Sequence, residues 1–130
     1  MAIELYISTF SVSTTNMNIR FSYLYRDAGN FKNWGEIVFS NPHNVPLENL
    51  SAQVKLALLD EMYFDAFSVG VPDRFFDDYD EELDHDWHEF ECLEQVDSPA
   101  TDRQERTIEI FLSKLAEISK KGFVSRDFWK

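Results

Sequence analysis

One cysteine, Cys92, leaves this chain of 130 residues without an intramolecular disulfide framework, which fits a reducing compartment. Four glycines and four prolines are too few for a low-complexity linker or a disordered tail. No run approaches the roughly 18–20 consecutive apolar residues that cross a bilayer. The opening residues 1–16 lack the positive region and long apolar stretch of an export signal, so the expected location is cytoplasmic. A Gly-rich phosphate loop, a Walker lysine, a dinucleotide fingerprint and a Gly-x-Ser-x-Gly elbow are all missing. Cys92 stands beside Glu91 and near Glu94, acids that disfavour the thiolate. The expectation is therefore a protein with no catalytic residues and no cofactor.

The most informative absence is of lysine and arginine between residues 77 and 102, where twelve acids stand uncompensated. Residues 1–76 sum to −3 and residues 103–130 to +3, so this one segment equals the whole formal charge of −12. Such a field repels nucleic acid and anionic membrane and attracts basic surfaces.

What is present is a packing chain: 44% hydrophobic, with twelve Phe, five Tyr and three Trp, enough for one domain over residues 1–130 with its own core. Residues 3–12 alternate as a first strand. Ile19, Phe21, Tyr23 and Tyr25 alternate with Asn18, Arg20, Ser22 and Leu24 as a second, with one face buried. The polar stretch 26–33 reads as a hairpin loop, residues 34–40 as the returning strand, and Asn41 and Pro42 break it. Pro46 suits a first helical position, followed by an apolar stripe of Leu47, Leu50, Val54, Ala57 and Leu58. Residues 62–72 read as a loop laid on the core, and residues 87–96 as a further strand. A last helix carries Ile108, Phe111, Leu112, Leu115 and Ile118. Thr101 and Gln104 have capping-box spacing before it, and Gly122 supplies its C-cap after Lys120 and Lys121. The expected fold is α+β: a mostly antiparallel sheet of three to four strands with two helices packed on one face.

Three chemistries compete for the acidic stretch. Asp78, Asp80, Glu82, Asp84, Asp86 and Glu89 have the ligand spacing of a calcium loop, but Leu83 stands where the sharp-turn glycine belongs. His85, His88 and Glu89, with Asp84 and Asp86, are of types that hold zinc, manganese or iron, as a metal-binding domain or metal-dependent hydrolase would. The third reading is a partner-binding surface of Phe76, Asp77, Asp78, Tyr79, Asp80, Glu81, Glu82, Asp84, Asp86, Trp87, Glu89 and Glu91, in which aromatic anchors interleave with steering carboxylates. The alternative to that surface is that the rings, Phe75 and Phe90 included, turn inward and leave a solvated acidic edge.

Residues 25–32 through Asn41 and Pro42, and residues 83–90, resemble small acidic bacterial proteins of no assigned function. The resemblance covers residues 19–96 and implies no activity. The functional expectation is thus a non-enzymatic inhibitor of the immunity-protein, antitoxin or anti-defence type, presenting residues 77–97 to a basic surface such as that of a nuclease. A subunit docking on a larger assembly is the other possibility. The inhibitor reading requires the twelve carboxylates to lie outward and on one side.

Overall fold

The computed structural model describes residues 17–121; the expected first strand at 3–12 and the Gly122 cap lie outside them. Four strands and three helices follow in the order β1 (Asn18–Arg26), β2 (Lys32–Phe39), α1 (Leu47–Leu56), β3 (Tyr63–Phe64), α2 (Ala66–Val69), β4 (His88–Val96) and α3 (Ile108–Lys121). The strands form one antiparallel sheet in the spatial order β2-β1-β4-β3.

The period-2 pattern of β1 decides the layers. Ile19, Phe21, Tyr23 and Tyr25 lie on one face, opposite Phe39, Ile37, Gly35 and Asn33 of β2. Both long helices cover that face: Leu50, Val54 and Ala57 of the α1 region and Ile108, Phe111, Leu112 and Leu115 of α3 share one core cluster with Ile19, Phe21, Phe39 and Leu93. Phe111 stacks on Phe39 with 4.4 Å between ring centroids and meets Phe21 edge-on at 5.1 Å. Each fully buried ring of this kind contributes about 1.5–3 kcal/mol. The α+β fold with helices on one face is as expected from the apolar stripes.

A β-bulge sets the parity of β4. Cys92 pairs with Ser22 while Phe90 pairs with Tyr23, so Glu91 is the extra residue. It lets His88, Phe90 and Leu93 all face the core side despite their odd spacing.

Local differences from the sequence reading have physical reasons. Thr101 does not cap α3: its Oγ1 accepts from Val38 N–H at 2.9 Å and its own N–H donates to Val38 C=O at 2.8 Å, which secures the edge of β2. The cap is Thr107, whose Oγ1 accepts from Ile110 N–H at 3.2 Å. Pro46 sits at the N-cap of α1 with ψ 142°, one position before the first helical residue. The hairpin loop is only residues 27–31, and its left-handed residue is Asn30 (φ 70°), with Gly29 beside it. Residues 62–72 hold β3 and α2 in place of a plain loop. Asp65 caps α2 by accepting from Phe67 N–H, and Gly70 (φ 76°) ends it.

Candidate interaction surface

Beyond the helix-covered core, the sheet face continues into a row of Asn33, Tyr25 and His88. The segment following α2 is laid across that row and held by backbone acceptors and donors. Tyr23 O–H donates to Pro72 C=O at 2.7 Å, Arg74 N–H to His88 Nε2 at 2.9 Å, and Asn33 Nδ2 to Arg74 C=O at 2.9 Å. Gly35 makes room for this crossing, because a Cβ there would lie 2.9 Å from both Arg74 Cδ and Tyr23 Cζ. Phe75 then stands edge-on to Tyr25 with 4.8 Å between centroids and packs on Tyr79 at 4.7 Å. Tyr25 O–H donates to His85 C=O at 2.7 Å, and Tyr79 O–H donates to Asp86 Oδ1.

The electrostatics follow from this burial. His88 is fully enclosed among Tyr23, Tyr25, Phe64 and Phe75. Burial lowers its pKa from 6.5 to about 4. Because Nε2 accepts from Arg74, the proton of the neutral ring sits on Nδ1, 3.3 Å from Asp86 C=O. Burial raises Tyr23 to about 12, and it raises Tyr25 as well, with the Asp84 charge adding to the effect.

The acidic stretch divides into structural and outward groups. Asp84 accepts from Asp80 N–H at 2.9 Å and from Ala28 N–H at 2.8 Å, which ties the acidic turn to the β1–β2 hairpin. Those two backbone hydrogen bonds hold its carboxyl below the usual range. Asp80 accepts from Glu82 N–H at 2.8 Å, and its C=O accepts from Leu83 and Asp84 N–H to close a single turn. Asp86 and Glu89 are buried, the latter in a bidentate pair with Arg26 at 2.8 and 3.1 Å. Glu94 pairs with Arg20 at 2.9 Å. Asp102 is buried against Arg106 in a pair at 2.9 Å. Burial alone would raise the Asp102 pKa, but the Arg106 hydrogen bonds and charge outweigh it and hold the carboxyl below its ordinary value.

The twelve carboxylates are therefore not all outward and uncompensated: three arginines, two of them on β1, take three of them. Asp77, Asp78, Asp80, Glu81, Glu82, Glu91 and Asp97 remain exposed, and Leu83 stands 72% exposed in the same turn as the first five. Phe76, Tyr79 and Trp87 are half-buried. His88 and Glu89 point to opposite sheet faces, opposite Tyr25 and Leu24 respectively. His85 Nδ1 accepts from Trp87 N–H at 3.0 Å. Among the described residues, no three His, Cys, Asp or Glu side chains are grouped as a metal ion requires, so neither the calcium spacing nor the His85, His88, Glu89 set is assembled.

No family model, curated protein or solved structure matches this chain. Function is to be read from its own geometry. No helix of the described residues is long and apolar enough to cross a membrane.

Sequence reasoning missed the division of labour among the acids. The signal was available in Arg20 and Arg26, which share the face of β1 opposite its apolar stripe. Two arginines there demand carboxylates from a neighbouring strand, and Glu94 and Glu89 are the ones that the strand register supplies.

Proposed function

We propose that the protein is a non-enzymatic acidic binding protein that docks the turn at residues 77–83 on a basic face of another protein. The requirement that all twelve carboxylates face outward is not met, because Asp84, Asp86, Glu89, Glu94 and Asp102 are taken by partners within the protein. The reading therefore narrows to the exposed acids of this turn as the docking element of an inhibitor of the immunity, antitoxin or anti-defence type acting on a nucleic-acid-handling protein. One observation carries the reading. The stretch packs Phe75 on the sheet and commits Asp84, Asp86 and Glu89 to structural bonds, while Asp77, Asp78, Asp80, Glu81 and Glu82 remain exposed on a turn fixed by hydrogen bonds. A turn already ordered in the free protein loses little entropy on docking. A groove shaped for phosphate attracts such an array, and the same charge opposes direct contact with nucleic acid or anionic membrane. Leu83, exposed at the end of this turn, supplies an apolar contact beside the carboxylates.

The test is binding to a basic nuclease by calorimetry across a salt series, with a variant carrying Asp77→Lys, Asp78→Lys, Glu81→Lys and Glu82→Lys. Affinity should fall steeply with salt and be lost in the variant, whose circular dichroism stays unchanged. Binding that ignores both salt and charge reversal rejects electrostatic docking through this turn.

A further inference from the structure

Among the described residues the sheet ends at β2 on one side, and the direction of that strand's outer hydrogen-bonding groups follows from its parity. The hairpin closes with Asp27 N–H donating to Phe31 C=O. Continuing the alternation of an antiparallel ladder, odd-numbered residues of β2 turn their N–H and C=O to β1, and even-numbered residues turn theirs outward. Val38 agrees, since both its backbone groups bond to Thr101. Past Val38 the edge is covered by the bridge from Ser40 to Thr107. Toward the hairpin, Lys32, Trp34 and Glu36 face outward in the same way, and among the described residues no strand pairs with them. Trp34 is 50% exposed and the adjoining Phe31 69% exposed.

Charged residues, lysine above all, are the usual guard on an open edge. Here the guard has a particular symmetry. Lys32 and Glu36 lie two residues on either side of Trp34, opposite in sign and on the same sheet face as Trp34. When the edge is laid antiparallel against its own copy about a two-fold axis through Trp34, Lys32 of each copy meets Glu36 of the other. Trp34 then meets Trp34, and all three positions have the outward hydrogen-bonding parity. Registers centred on Lys32 or Glu36 set like charges face to face, and those centred on Asn33 or Gly35 leave both charges without an opposite partner, so only the Trp34 register pairs each Lys32 with a Glu36.

We propose that the outer edge of β2 at residues 32–36 is a self-association surface whose partner is a second copy of this chain, joined as one sheet continuous across both copies. The contact is isologous, the commonest arrangement for homodimers. It is independent of the docking turn at 77–83 and has the opposite salt dependence. Two copies of formal charge −12 repel at long range, so screening strengthens the pairing.

Sedimentation equilibrium of the full chain from about 0.05 to about 0.5 M NaCl tests this. A monomer–dimer equilibrium that tightens with salt is expected, with slowed hydrogen exchange at the Trp34 amide in the dimer. Lys32→Glu alone and Glu36→Lys alone each create two like-charge pairs and should weaken the dimer about tenfold or more. The double variant restores opposite charges and should recover it, and an equimolar mixture of the two single variants should form the heterodimer. Circular dichroism of each variant confirms the fold. A monomer at every salt up to about 1 mM protein overturns the proposal, whether or not another segment is then found to protect the Trp34 amide. So does a dimer that both single variants leave unchanged.

Discussion

Replacing Arg106 with methionine probes a side chain that ties three parts of the described fold together. Its guanidinium donates to both Asp102 oxygens at 2.9 Å, to Val69 C=O at 2.8 Å and to Gly70 C=O at 3.0 Å. It also lies 5.8 and 5.2 Å from the ring centroids of Phe39 and Phe111. It thus joins the end of α2, the approach to α3 and the aromatic core. Methionine keeps much of the apolar volume but leaves Asp102 buried and uncompensated, which costs about 3–5 kcal/mol. Against a total stability of about 5–15 kcal/mol, that is a loss of roughly 10–20 °C in Tm. Urea denaturation followed by tryptophan fluorescence measures it. Adding Asp102→Ala removes the stranded charge, so the double variant should be more stable than Arg106→Met alone, with a coupling of at least about 1 kcal/mol. The pH dependence has a definite sign. In the wild type the depressed Asp102 pKa contributes stability that is present above its ordinary value of 3.8 and is lost as pH falls below it. In Arg106→Met the buried carboxyl instead gains from protonation, so the deficit should narrow as pH falls from neutrality toward 4. An Arg106→Met protein within about 1 kcal/mol of wild type at pH 7, or a strictly additive double variant, would refute the reasoning.

Other consequences are open to measurement. The His88 pKa falls to about 4 in the folded state from 6.5, so stability is full above 6.5 and declines as pH drops toward 4, by up to about 3 kcal/mol. His88→Gln keeps an acceptor for Arg74 N–H and should flatten that slope, whereas an unchanged slope would assign it to another group. Gly70→Ala forces a side chain into the left-handed region, with its Cβ 2.4 Å from Gln104 Nε2; a cost of about 1–2 kcal/mol is expected by chemical denaturation. Asp84→Ala removes the tie to Ala28 and should speed hydrogen exchange at the Ala28 and Asp80 amides while leaving α3 amides protected. Burial and then the Glu94 and Glu91 charges raise the Cys92 pKa, so disulfide exchange with an aromatic disulfide at pH 8 should be slower than for a free thiol.

Periodic residues made most of the fold legible. The alternation of Ile19, Phe21, Tyr23 and Tyr25 and the stripes of α1 and α3 each report a buried face through a fixed period, and that face is where the structure places them. Thr101 was misread because its hydroxyl has two uses, a helix cap or a strand-edge acceptor, and Val38, which decides between them, lies far away in sequence. The short β3 and α2 escaped because neither is long enough to show a period. In the candidate site the acids were visible as a group, but their separate roles were not. Burial of Asp86, Glu89 and Asp102 depends on Tyr79, Arg26 and Arg106 reaching them, which only the register and chain path determine. The aromatics divided between the two expectations: Phe75 turned to the sheet, Phe76, Tyr79 and Trp87 stayed half-buried, and Leu83 took the outward position.

The extra residue at Glu91 reconciles the three-residue step from Phe90 to Leu93 with a two-residue pleat. Deleting Glu91 would leave Phe90, Cys92 and Leu93 in plain alternation opposite Tyr23, Ser22 and Phe21 with the inward set intact, whereas a residue added beside it would demand a second irregularity or turn one half of the strand over. Homologous chains should therefore tolerate the loss of a residue at this point better than a gain.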